Sequence, residues 1–185
     1  MTVLRLANSV RRMMWSVLGL ALLCAAAMAG ADGASRTESA LKAEFIYNFA
    51  RFVSWPRSAI SSGAIVFCIG GNRDFSAVFK NETSGRRIGQ LAIDVLDVEE
   101  GDYTQPCNVL YIPHAKSDLA DKYLHGYLGK PVLSVGETPD FIAKGGVIGF
   151  YQDNGRLRFE IGLATAGENG LTISSELLSL ARVHR

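Results

Sequence analysis

The chain has 185 residues, of which 48% are hydrophobic and 20% charged, with five prolines, a balance that fits a folded globular domain and excludes an intrinsically disordered chain. Nineteen Lys and Arg stand against eighteen Asp and Glu. Three of the basic residues, Arg5, Arg11 and Arg12, lie ahead of all eighteen acids, so the chain beyond them carries 16 basic against 18 acidic residues, net −2, and offers no basic stripe to neutralise phosphates; nucleic acid is not an expected partner.

The three arginines precede an uncharged apolar run from Met13 to Ala27, and Ala27-Met28-Ala29 supplies small residues one apart. This pattern reads as a secretory signal peptide over residues 1–29, cleaved on export. The run is shorter than the roughly 18 to 20 residues a membrane span needs, which disfavours an uncleaved anchor. Cys24 follows Leu22-Leu23, where a lipid-attachment site would want a small residue immediately before the cysteine. Export also removes NAD, ATP and GTP as ready cofactors, and none is expected. Two cysteines remain, Cys68 and Cys107. An oxidising compartment permits a disulfide between them, and two separate buried thiols are the alternative.

Residues 30–39 are small and polar and read as a flexible lead-in to one domain over 40–185. An amphipathic helix follows. Leu41, Phe45, Phe49 and Phe52 recur three and four apart on one face, with Lys42, Glu44, Asn48 and Arg51 on the flanks and outer face; Pro56 stops the helix by about Ser54 and makes Trp55 an anchor into the next segment. Such an aromatic stripe calls for a large apolar partner, a core in the first instance.

Ala64 to Ile69 is a continuous apolar run ending at Gly70-Gly71-Asn72, as in a strand buried on both faces of a parallel sheet. A short helix over Asp74 to Lys80 turns Phe75, Val78 and Phe79 inward, and Ile88 to Leu96 is a second strand. Asp97, Glu99, Glu100 and Asp102 lack the spacing of a calcium loop and read as a solvated segment. Cys107 to Ile112 is a third strand, stopped by Pro113; Ser117 can cap a helix carrying Leu119, Tyr123, Leu124 and Tyr127; Pro131 to Val135 is a fourth strand. Thr138 to Lys144 reads as one more short helix. Val147 to Tyr151 then pairs with Leu157 to Leu163 as an antiparallel hairpin across Asp153-Asn154-Gly155. The alternation of strands and helices predicts a single α/β domain with a mainly parallel central sheet flanked by helices, right-handed crossovers and a C-terminal antiparallel hairpin.

No catalytic constellation emerges, and no enzyme activity is expected. His114, His125 and His184 have no second histidine at helical spacing, so no metal site is expected, and Ser134 lacks the preceding glycine of a nucleophile elbow. Gly70-Gly71-Asn72-Arg73 could present N–H groups to an anion but is no phosphate-loop signature and reads first as a turn. Along the last strand Leu157, Phe159, Ile161 and Leu163 share one face while Arg156, Arg158 and Glu160 share the other, so Glu160 has basic neighbours and reads first as a member of a surface ion pair.

Two motifs far apart carry a resemblance: Phe45-x-x-Asn48-Phe49-x-x-Phe52-x-x-Trp55-Pro56 in the opening helix, and the ending with Arg158-Phe159-Glu160-Ile161-Gly162-Leu163 followed by Gly170-Leu171-x-Ile173-Ser174-Ser175. Together they resemble the YfiR family of periplasmic regulators, from about Leu41 to Val183. The resemblance implies a disulfide between Cys68 and Cys107 and a contact surface involving Glu160, Thr172 and Ser174. It further implies a non-enzymatic repressor that binds the periplasmic sensor domain of an inner-membrane diguanylate cyclase and lowers cyclic di-GMP, with a peptidoglycan-associated outer-membrane lipoprotein as a second partner. A homodimer is carried as a further expectation, and a periplasmic small-molecule sensor on the same fold is the alternative function. Gly162 departs from the family pattern, which usually has Asn there.

Overall fold

The computed structural model describes residues 37–60 and 62–185. The expected signal peptide and its cleavage site lie outside the described residues. A compact unit spans Ala40–Arg185.

Helix α1 runs over residues 37–51, so the lead-in expected to last to residue 39 has given way to helix by residue 37. The helix also stops three residues before Ser54, because Val53–Ser54 is drawn into a two-residue strand, β1, that pairs antiparallel with β8 (Thr172–Ile173). Its buried face is rotated from the aromatic stripe. Ala43, Ile46, Phe49, Ala50 and Val53 are inside, Phe45 is half-buried at the margin, and Leu41 (47% exposed) and Phe52 (37%) face out. Small and branched residues, Ala43, Ile46 and Ala50, are fully buried on this face, while the rings of Phe45 and Phe49 meet Phe150 and Phe159 at centroid distances of 4.8–6.0 Å.

The main sheet holds seven strands in the order β3-β2-β4-β5-β6-β7-β9: β2 Ala64–Gly70, β3 Ala92–Val98, β4 Val109–Ile112, β5 Leu133–Gly136, β6 Ile148–Asp153, β7 Arg156–Gly162 and β9 Arg182–His184. The pairs from β3 through β6 are parallel, β6–β7 is an antiparallel hairpin, and β9 returns parallel to β7. All seven residues of β2 are buried, as its unbroken apolar run requires of a strand covered on both faces. Helix α2 (Arg73–Glu82) leads from β2 to β3, and α3 (Ala120–Gly126) leads from β4 to β5 in the opposite direction across the sheet. Their side chains fall into two separate clusters, Phe75 and Phe79 with Phe67 and Ile69 on one face, Tyr123 and Leu124 with Val66 and Cys68 on the other. Crossovers of one hand that move in opposite directions must place their helices on opposite faces.

Several boundaries differ from the expectation for local reasons. Ile88–Leu91 is a tight turn closed in both directions by backbone hydrogen bonds, with Gly89 at φ +59°, so the second strand starts at Ala92. The third strand starts at Val109, after a bend at Asn108 whose side chain adds to its backbone bonds: Oδ1 accepts from Val66 N at 2.9 Å and Nδ2 donates to Ala59 O at 2.8 Å. Residues His114–Leu119 form a 3-10 segment kinked at Lys116, so α3 begins at Ala120 without Ser117 as its cap, and the fourth strand spans Leu133–Gly136. Residues 138–144 make successive turns where a helix was expected. The reason is Phe141, fully buried against Gly136 and Gly146, at each of which a Cβ would overlap its ring. The hairpin turn is the two-residue type that Asn154 (φ 49°) and Gly155 (φ 72°) favour. Leu163, expected at the end of β7, instead opens α4 (Leu163–Glu168), and α5 (Ser175–Ser179) and β9 complete the chain.

Candidate functional site

Cys68, inside β2, and Cys107, just ahead of β4, form a disulfide with a Cα–Cα distance of 5.7 Å. Register alone would keep them apart, since Cys68 lies level with Leu110. The chain bends at Asn108, which bonds Val66 through both its backbone N–H and its side-chain Oδ1, and Cys107 just before the bend meets Cys68. Both half-cystines are buried under Tyr127, whose hydroxyl lies 3.1 Å from Cys107 Sγ. Burial pushes the phenol of Tyr127 up to about 12, with nearby Asp102 adding to the effect, and burial does the same to Tyr123, whose hydroxyl donates to Val98 O at 3.1 Å.

The residues expected on a contact surface are held by different elements. Glu160 sits on β7 with 13% of its side chain exposed, opposite Gly149, whose missing side chain leaves it room. Its Oε2 lies 3.0 Å from His184 Nε2 and 3.7 Å from an Arg182 guanidinium nitrogen, both on β9. Arg182 in turn stacks over Tyr151, 4.4 Å from the ring centroid. Thr172 is exposed on β8 opposite Ser54. Ser174 caps α5, its Oγ accepting from Leu177 N, while its own N–H donates to Phe52 O at 2.9 Å. Ile173 between them packs with Phe159 and Ile161 on the α1 face of the sheet, whereas Glu160 points to the other face, beside Ile142. Thr172 and Ser174 are thus brought together, and Glu160 faces away from them.

The aromatic spacing leaves Lys42 among the residues of the flanks and outer face of α1. In the structure Lys42 is largely buried, its Nζ 2.7 Å from Glu137 Oε2, and Tyr111 hydrogen-bonds the same carboxylate. This ties α1 to the C-terminal ends of β4 and β5. The signal for it is an acid directly after a parallel strand; the partner, 95 residues away, has no signature in the sequence.

Other chemistry-bearing residues have structural employment. Asn72 caps α2, accepting from Phe75 N, and Gly71 N donates to Val98 O. Ser134 Oγ is buried and accepts from Val147 N. His125 Nδ1 lies 2.8 Å from Asp121 O. Three of the acids that follow β3 or end it are dispersed among separate pairs, Asp97 with Lys80, Glu99 with Arg73 and Glu100 with Lys122. Hydrogen bonds from Gln105 and Thr104 hold the fourth, Asp102, below the usual carboxylate range. Among the described residues no three His, Cys, Asp or Glu side chains are grouped to hold a metal, and no helix is long and apolar enough to cross a membrane. A cavity beside Leu124, Tyr127, Ser134 and Asn169 measures about 20 Å3, the room of a single water.

These features define an α/β domain with a disulfide between β2 and the bend before β4, a largely buried Lys42–Glu137–Tyr111 cluster and otherwise mostly exposed ion pairs. The YfiR/HmsC-like family model matches residues 39–182, and the chain belongs to that family. No match is found among the curated proteins. Among solved structures, a conserved domain protein from Vibrio cholerae O1 biovar El Tor strain N16961 is similar in fold, with a TM-score of 0.51 and 10% identity over 69% of this chain and 57% of that one. The present chain therefore spans little more than half the length of that relative, and the likeness bears on the fold alone.

Proposed function

We propose that the chain acts in the periplasm as a non-catalytic binding protein, repressing an inner-membrane diguanylate cyclase by contacting its periplasmic sensor domain. An outer-membrane peptidoglycan-associated lipoprotein serves as the partner that sequesters the repressor. The observation that carries the reading is the family match across residues 39–182. Two features of the chain support it. The basic, then apolar opening up to Ala29 has the form of an export signal, and a disulfide between central strands persists in an oxidising compartment and not in a reducing one. The role of a repressor follows from linkage: it shifts the cyclase only as far as it binds the inactive form more tightly than the active one.

Deleting the gene tests this in the cell. Cyclic di-GMP and surface attachment should rise, and the rise should vanish when the cognate cyclase is also deleted or its catalytic site is inactivated. Unchanged cyclic di-GMP on deletion, or a rise that persists without the cyclase, would contradict the proposal.

A further inference from the structure

The hairpin β6–β7 overhangs the sheet. Strand β5 pairs with β6 only at Ile148 and Gly149, and β9 pairs with β7 only at Glu160, Ile161 and Gly162. Gly162 N donates to Val147 O, so in the β6–β7 ladder Arg156, Arg158 and Glu160 turn their backbone groups to β6, while Leu157, Phe159 and Ile161 turn theirs outward; short of the β9 ladder, Leu157 N–H and C=O and Phe159 N–H face no partner strand, and among the described residues no loop or turn bonds them. A strand edge left open in this way presents a row of unpaired N–H and C=O groups. Its two faces differ in kind. Leu157 and Phe159 look toward the core, with Leu178 and Ala181 alongside. On the other face Arg156 and Arg158 stand two residues apart, roughly 7 Å along the strand, with Arg182 of β9 beside them over Tyr151. Arg156 and Arg158 are exposed, and among the described residues neither lies within ion-pair distance of a carboxylate, since Glu160 is taken by Arg182 and His184.

We infer that the open edge of β7 is a docking site for an extended, acidic segment of a partner protein, which adds as a strand beside Arg156–Phe159. Main-chain bonds supply the attachment, and the two unpaired guanidinium groups select carboxylates at alternate positions of the incoming strand, while its other side chains meet Leu157. The same charges argue against a second copy of this chain as the occupant. Antiparallel pairing of two β7 edges would set Arg156 and Arg158 against their own counterparts, and like charges opposite one another destabilise a ladder. The inference rests on the reading of the protein as a binding module and adds the kind of segment it captures.

The test uses the mature chain and a short, capped, fluorescent peptide of alternating glutamate and valine. Controls are the lysine–valine counterpart, the glutamate peptide N-methylated at alternate amides, and vesicles of phosphatidylcholine with phosphatidylglycerol. The glutamate peptide should bind and slow amide exchange at Leu157 and Phe159, whose N–H groups point outward from the hairpin. Binding should weaken about tenfold in the double variant Arg156→Glu, Arg158→Glu, and about tenfold with the N-methylated peptide, which keeps the charge but cannot complete the ladder. Equal binding of the N-methylated or lysine peptide, unchanged exchange at β7, or vesicle binding without peptide binding would each overturn the inference. The arms separate this site from the proposed function. Loss of peptide binding while the cyclase's periplasmic domain is still bound removes strand addition alone, and peptide binding without affinity for that domain leaves the strand site and removes the repressor reading.

Discussion

At the scale of single residues, the aromatic side chains divide by what they touch. Phe49 is fully enclosed by Phe45, Phe150 and Phe159, whereas Phe52, three residues on, is 37% exposed and contributes its carbonyl to Ser174 N–H. Phe49→Ala should cost about 3 to 5 kcal/mol, the loss of a buried ring together with the cavity it leaves, and Phe52→Ala less than about 1 kcal/mol, both read by chemical denaturation of the mature protein. Equal losses at the two positions would contradict the burial pattern. Tyr123 and Tyr127 make a prediction in pH. Burial raises both phenols to about 12 in the folded protein, against about 10 when unfolded, so the unfolded chain sheds its phenolic protons first. Stability should be fully present below pH 10 and fall between about pH 10 and 12. Tyr127→Phe should flatten that fall in denaturant midpoints measured across the range.

At the scale of elements, the continuous apolar run of β2, the alternation along β7 and the Asn-Gly turn were legible from the chain, because each reflects periodicity or backbone preference within a few residues. The rotation of α1 was not. Its aromatic spacing fits a stripe centred between Leu41 and Phe52, but the buried face takes in Ala43, Ile46 and Ala50, which only the partner surface decides. The same limit hid α5 and β9, short pieces stabilised by contacts with Phe159 and Glu160 and not by their own propensity. Gly162 illustrates the point at one position. A Cβ there would sit 3.0 Å from Gly146 O and 3.1 Å from Ile142 Cγ2, so the Asn usual in the family would require those neighbours to give way. Alternation along β7 marks Glu160 as a member of an ion pair, whereas a contact surface shared with Thr172 and Ser174 is an expectation from the family resemblance alone; that Glu160 faces away from the other two follows from the pleat of β7 and the placement of β8. The cysteine pair belongs to this scale as well. It crosslinks β2 to the bend before β4 across 39 residues, and Cys68→Ser with Cys107→Ser should cost about 4 kcal/mol in the chain-entropy account. Denaturation of mature protein with and without a reductant measures the same quantity. Two alkylated thiols in unreduced mature protein would show that the link does not form.

For the whole molecule, a mainly parallel sheet carries an apolar cluster on each face, and a disulfide crosslinks β2 to the bend before β4. Such a scaffold suits binding through its surface, as the proposed role of holding a partner requires. The most direct measurement is the affinity of the purified, oxidised mature chain for the periplasmic domain of the cognate cyclase, by calorimetry, alongside cyclase activity in membranes with and without the added chain. Saturable binding at one site is expected, with a fall in cyclic di-GMP synthesis that follows occupancy. No measurable binding, or binding that leaves synthesis unchanged, would contradict that role.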